Sequence, residues 1–113
     1  MMSKLRITFK AHPDLIYSMH KAIRVAGYGV RGKSKWIADA LTELFDIENY
    51  WEVVIEEKPM AKLNDNPECF FVSSDMRCRL DDAIRLCNLK SPFKQGLQSS
   101  IIRSAIMQKL ING

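Results

Sequence analysis

Few of the residues that staple small proteins together are present. Cysteine occurs three times, at Cys69, Cys78 and Cys87, and histidine twice, at His12 and His20. An odd, sparse set of cysteines makes no disulfide framework. Two histidines eight residues apart, with no third ligand suggested, make no convincing zinc site. The chain is therefore expected to work in a reducing compartment, the cytoplasm, without metal or other cofactor. Long apolar runs are missing too. Stretches such as Val53-Val54-Ile55 fall far short of the roughly 20 residues that a membrane-spanning helix needs. Near the start, His12, Pro13, Asp14, Lys21 and Arg24 interrupt any apolar segment, so no signal peptide is expected. No nucleophile–base pair or carboxylate pair has a reason to be catalytic, so an enzyme is not expected.

What remains is 113 residues, 47% apolar, with a net charge of +4. That is one ordinary domain with a modest core, basic enough to allow an anionic partner. The charge is unevenly spread. Residues 1–45 carry eight Lys/Arg against three Asp/Glu, residues 46–67 two against six, and residues 68–113 seven against four. Two basic segments flank an acidic one.

Each basic segment reads as a strand followed by two helices. In the first, Leu5, Ile7 and Phe9 alternate with Arg6, Thr8 and Lys10, which predicts a half-buried strand over 5–10. Helix-start chemistry at Pro13 and Asp14 and an apolar stripe at helical spacing predict a helix over 13–26. A glycine loop follows, then a helix over 33–46 carrying Trp36, Ile37, Ala40, Leu41 and Leu44 as its apolar stripe. In the second segment a strand is predicted over 68–73, a helix over 74–88 and a helix over 98–110. Cys78 and Cys87 lie on the first of those helices and are expected on similar faces.

The two segments align without forcing. Asp14 falls on Asp75, Met19 on Leu80 and Ala22-Ile23-Arg24 on Ala83-Ile84-Arg85; after a longer loop, Ser34 falls on Ser99 and Ala40 on Ala105. The pattern is an internal repeat, 4–45 and 68–111, joined by the acidic connector 46–67. Neither copy can close a core alone, so the strands are expected to pair and the copies to share one core. Within the connector, Asn64-Asp65-Asn66-Pro67 reads as a loop. Tyr50-Trp51-Glu52-Val53-Val54-Ile55 is too apolar for a bare linker and leaves an extension of the second helix, an extra strand and a segment packed across the core all open.

A strand with alternating polar residues, followed by two helices, the last containing Ser100-Ile101-Ile102-Arg103-Ser104-Ala105-Ile106, resembles the ribbon-helix-helix superfamily of the Arc, MetJ and CopG type. The tandem copy resembles the single-chain form found in TraY-type proteins of conjugative plasmids. The resemblance covers nearly everything outside the connector. It implies a mainly α fold with a two-stranded antiparallel ribbon, built as a pseudo-two-fold single-chain dimer. It also implies binding of double-stranded DNA by the ribbon in the major groove, as a plasmid- or phage-type transcriptional regulator or a relaxosome accessory protein.

On that resemblance, Arg6, Thr8 and Lys10 are the base-contacting residues of the first strand. Their counterparts depend on register: Cys69 and Phe71 face outward in one register, Phe70, Val72 and Ser74 in the other. Neither offers a Lys or Arg, so an asymmetric or non-palindromic site follows. Phosphate contacts are expected from Lys4, Gly32, Lys33, Ser34 and Lys35 in the first copy and Lys94, Gln98 and Ser99 in the second, at two helix starts whose free N–H groups suit an anion. Gly27-Tyr28-Gly29-Val30-Arg31-Gly32-Lys33-Ser34 also fits the nucleotide-binding pattern G-x-x-x-x-G-K-[ST]. That pattern needs a buried strand before it, and residues 15–26 have helical period instead. Two alternatives remain: an antitoxin-like protein-interaction module using Tyr50 and Trp51 of the connector as its partner surface and, more remotely, a small P-loop nucleotide-binding protein.

Overall fold

Capping chemistry and apolar periodicity set the element order. A computed structural model describes residues 4–29, 31–58 and 65–112. The order is β1 (Leu5–Ala11), α1 (Pro13–Val25), α2 (Lys33–Phe45), α3 (Tyr50–Glu56), β2 (Asn66–Val72), α4 (Ser74–Lys90) and α5 (Leu97–Asn112). The described residues are mainly helical, with a single two-stranded antiparallel sheet. No helix among them is long and apolar enough to cross a membrane, and no group of His, Cys, Asp and Glu among them could hold a metal ion.

Local chemistry accounts for the helix starts. His12 caps α1, its Nδ1 accepting the Asp14 N–H at 3.1 Å, with Pro13 in the first turn. Ser73 caps α4 in the same way, its Oγ accepting the Met76 N–H at 3.2 Å. The turn between α1 and α2 uses Gly27 and Gly29 at φ of 77° and 80°. Gly32 is required for a different reason: a Cβ there would overlap the Cβ and carbonyl of Tyr28. The element before this glycine loop is helix α1, and the sheet is antiparallel, so the strand-loop-helix setting of a nucleotide-binding loop is lacking. Val30 of the loop lies outside the described residues.

β1 and β2 pair with Leu5 opposite Val72, Ile7 opposite Phe70, Thr8 opposite Cys69 and Lys10 opposite Pro67. Opposed residues share a face of the ribbon. Ile7, Phe9, Phe70 and Val72 are buried beneath it, and the Phe9 and Phe70 rings meet edge to face at 5.8 Å. α2 and α5 pack against each other and under the strands, with Ile37, Leu41, Leu44, Ile101, Ile102 and Ile106 fully buried. α1 and α4 flank this centre through Met19, Ile23, Leu80 and Cys87.

Two expectations need correction, and one open reading is decided. Asn66 and Pro67 belong to β2 rather than to a loop, while Asn64 lies outside the described residues. Proline is tolerated there because Lys10, opposite, turns its own N–H and C=O away from β2, to Ser99 and Arg103. The missing proline N–H therefore costs no ladder bond. Second, Cys78 is exposed and Cys87 buried. Nine residues at 100° each leave them half a turn out of phase, on opposite sides of α4. Burial pushes the Cys87 thiol pKa up. The connector's aromatic stretch, open in the sequence, is the separate short helix α3, packed against the core. Its Tyr50 packs on Phe45 at 5.1 Å, and Trp51 lies under Lys90 at 4.7 Å, so both rings are largely used inside the molecule.

The end of α3 is anchored by a buried ion pair. Arg103, from the middle of α5, donates through Nε and Nη2 to the two carboxylate oxygens of Glu57 at 3.0 and 3.1 Å. The same guanidinium donates to the Lys10 carbonyl at 2.7 Å and to Ser100 Oγ at 3.2 Å. The two side chains are only 11% and 3% exposed. Taking one partner away strands the other charge without water. Glu57→Ala is expected to lower stability by about 3–5 kcal/mol in urea unfolding, and Arg103→Met with Glu57→Met to recover much of the loss.

Candidate nucleic-acid interface

The outer face of the ribbon presents three cross-strand pairs: Arg6 with Phe71, Thr8 with Cys69, and Lys10 with Pro67. Arg6, Thr8, Lys10 and Pro67 are exposed, Phe71 is 46% exposed and Cys69 is half-buried. This is the first of the two registers open from sequence. In the other, Phe70 and Val72 would face out, and both are buried here. Lys4 is exposed just before β1. The five residues expected to touch bases therefore lie together on one surface, with Lys4 beside the strand that carries the basic side chains.

Ribbon edges are normally open rows of unpaired backbone groups. Here the helix starts cover them. Ser34 Oγ, in the first turn of α2, accepts the Phe71 N–H at 2.9 Å. Ser99 Oγ, in the first turn of α5, accepts the Lys10 N–H at 3.0 Å. Gln98 donates from Nε2 to the Thr8 carbonyl at 2.7 Å and accepts from Arg77 at 3.4 Å. Each strand is thus held by the second helix of the opposite segment, and the free ends of α2 and α5 are brought up to the flanks of the ribbon.

The side chains expected to hold phosphate are differently disposed. Lys33 Nζ is paired to Glu68 Oε2 at 3.2 Å, with both side chains about a quarter to a third exposed (31% and 23%). Lys35, 74% exposed, lies 3.5 Å from Asp39, a weak surface pair. Asp39 also accepts the Tyr28 O–H at 2.7 Å, and that bond raises the phenol pKa. Lys94 Nζ donates to the Glu57 carbonyl at 2.9 Å. Two open clefts lie at these corners. One, of about 760 Å³, is lined by His20, Arg24, Gly27, Gly29 and Lys33; the other, of about 650 Å³, by Lys10, Lys94, Gly96 and Ser99 among others.

Several site features have no counterpart in the sequence reading. Ser34, Ser99 and Gln98 act on the strands as well as standing at helix starts. Glu68 neutralises Lys33, and Arg103 supports the Lys10 backbone from below. The one available signal is Arg103 itself: it is a lone charge in the buried run Ser100–Ile106, where a charge needs a partner. Comparison with known protein families, with curated proteins and with solved structures returns no match to this chain.

The two serine bonds make a direct prediction. Ser34→Ala and Ser99→Ala each remove the acceptor of one strand N–H, at a cost of about 1 kcal/mol. Amide exchange is expected to quicken at Phe71 in the first variant and at Lys10 in the second, with the other site unchanged.

Proposed function

We propose that the chain is a sequence-specific double-stranded-DNA-binding protein that lays the β1–β2 ribbon in the major groove, its two strand-helix-helix segments acting as an internal pseudo-dimer. The observation that carries this reading is the outer face of the ribbon. It is an exposed surface, cationic on one strand, with no acidic residue among its three pairs, and its edges are tied down by two helix starts. The major groove admits a two-stranded ribbon, and Arg or Lys donates well to guanine O6 and N7 there.

Support for the pseudo-dimer comes from where the repeat falls on the structure. The alignment of Asp14 with Asp75 is an offset of 61 residues, which equates Thr8 with Cys69 and Phe9 with Phe70. Thr8 and Cys69 are direct partners in the ribbon, as a two-fold through its centre requires. The Phe9 and Phe70 rings touch. The Ser99–Lys10 and Ser34–Phe71 bonds are then the same bond made twice, since Lys10 equates with Phe71 and Ser34 with Ser99.

In this reading Arg6, Thr8, Lys10, Cys69 and Phe71 face base edges. Gly32, Ser34 and Lys35 at one flank and Gln98 and Ser99 at the other, with Lys4 and Lys94, position the backbone. Lys33 joins them when phosphate displaces Glu68. Such a binder suits transcriptional regulation from a plasmid or phage, or accessory service in DNA transfer. It works in the cytoplasm without cofactor or catalysis.

The test is selection from random duplex DNA followed by binding to the selected site. Arg6→Ala and Lys10→Ala are each expected to weaken that binding by about 1–3 kcal/mol and to flatten its salt dependence. Unchanged affinity in the double variant would rule the ribbon out as the reading surface.

A further inference from the structure

The two strands of the ribbon offer different chemistry on the same face. β1 contributes Arg6, Thr8 and Lys10, all with hydrogen-bond donors. β2 contributes Phe71, Cys69 and Pro67, with a weak thiol as its sole side-chain donor. The register leaves no other choice, because Phe70 and Val72 are buried and Glu68 is turned to Lys33. The Lys10 and Phe71 N–H groups are occupied by Ser99 and Ser34, so side chains carry the readout.

Resting on the DNA-binding reading above, we infer that the protein recognises a polar, non-palindromic duplex site and so binds in one orientation. At positions that a two-fold would make equivalent, one half carries guanine read by Arg6 and Lys10. The other carries thymine, whose C5-methyl packs on Phe71 and Cys69. Guanine offers two acceptors to a cationic donor, and thymine offers the one apolar group in the major groove. A ring at the Phe71 position cannot donate to guanine, so a guanine there loses its water without gaining a partner.

Phe71 is the hinge of the proposal because it equates with Lys10 in the repeat and is 46% exposed, so a lysine there has room and solvent. Phe71→Lys is expected to convert the selected site towards two-fold symmetry by adding a guanine in the thymine half. The full chain would first be taken through selection from random duplexes. Base analogues would then be placed singly in the winning site. 7-Deazaguanine, which lacks N7, is expected to weaken binding about tenfold in the β1 half. Deoxyuridine for thymidine, which removes only the methyl, is expected to weaken it roughly threefold in the β2 half.

A palindromic site whose halves respond alike to 7-deazaguanine would overturn the polarity and leave the DNA-binding reading standing. Thymines that tolerate loss of the methyl, or a Phe71→Lys variant that selects the unaltered site, would overturn the readout assigned to Phe71 and Cys69. Selection with no enriched sequence would overturn both this inference and the DNA-binding reading.

Discussion

The edge-to-face contact of Phe9 and Phe70 beneath a two-stranded ribbon is the constraint around which the other elements are arranged. Two strands alone are marginal in water, because they bury too little surface to offset the ordering of the chain. These two persist because their inner face closes on α2 and α5 and their outer edges are satisfied by Ser34, Ser99 and Gln98. Fixing the register beneath fixes it above. With Phe70 and Val72 held in the core, Phe71 and Cys69 must face out beside Arg6 and Thr8.

The connector belongs to the same arrangement. Its last helical turn delivers Glu57 to Arg103, and Arg103 in turn holds the Lys10 carbonyl at the end of β1. A charge pair that is nearly dry gives little net stability, but it strongly disfavours any arrangement that separates its members. The acidic segment is thus tied to the fold by a specific contact, and its aromatic residues Tyr50 and Trp51 are largely spent on Phe45 and Lys90.

Much of this was legible in the residues, for identifiable reasons. The strict alternation over 5–10 fixes both a strand and its buried face, because period two leaves one choice of phase. Helix stripes and the start signals at Pro13 and Asp14 place α1, α2, α4 and α5 to within about two residues, the usual scatter of helix ends. The run Cys69-Phe70-Phe71-Val72 is different: a continuous apolar string has no phase, so only the partner strand decides which residues face out. The strand character of Asn66 and Pro67 depends on Lys10 turning away across the ribbon. The Glu57–Arg103 and Lys33–Glu68 pairs join residues 46 and 35 positions apart. No local pattern encodes either.

The central claim is that the outer face of the ribbon is the surface that meets DNA, and the chain carries its own reporter there. Cys69 is half-exposed on that face, Cys78 is exposed on α4 outside it, and Cys87 is buried. Timed alkylation read by mass spectrometry, with and without a selected duplex at saturating concentration, compares the first two within one molecule. The account predicts that bound duplex slows modification of Cys69 and leaves Cys78 unchanged. Unchanged reaction at Cys69 while the duplex is bound would contradict it.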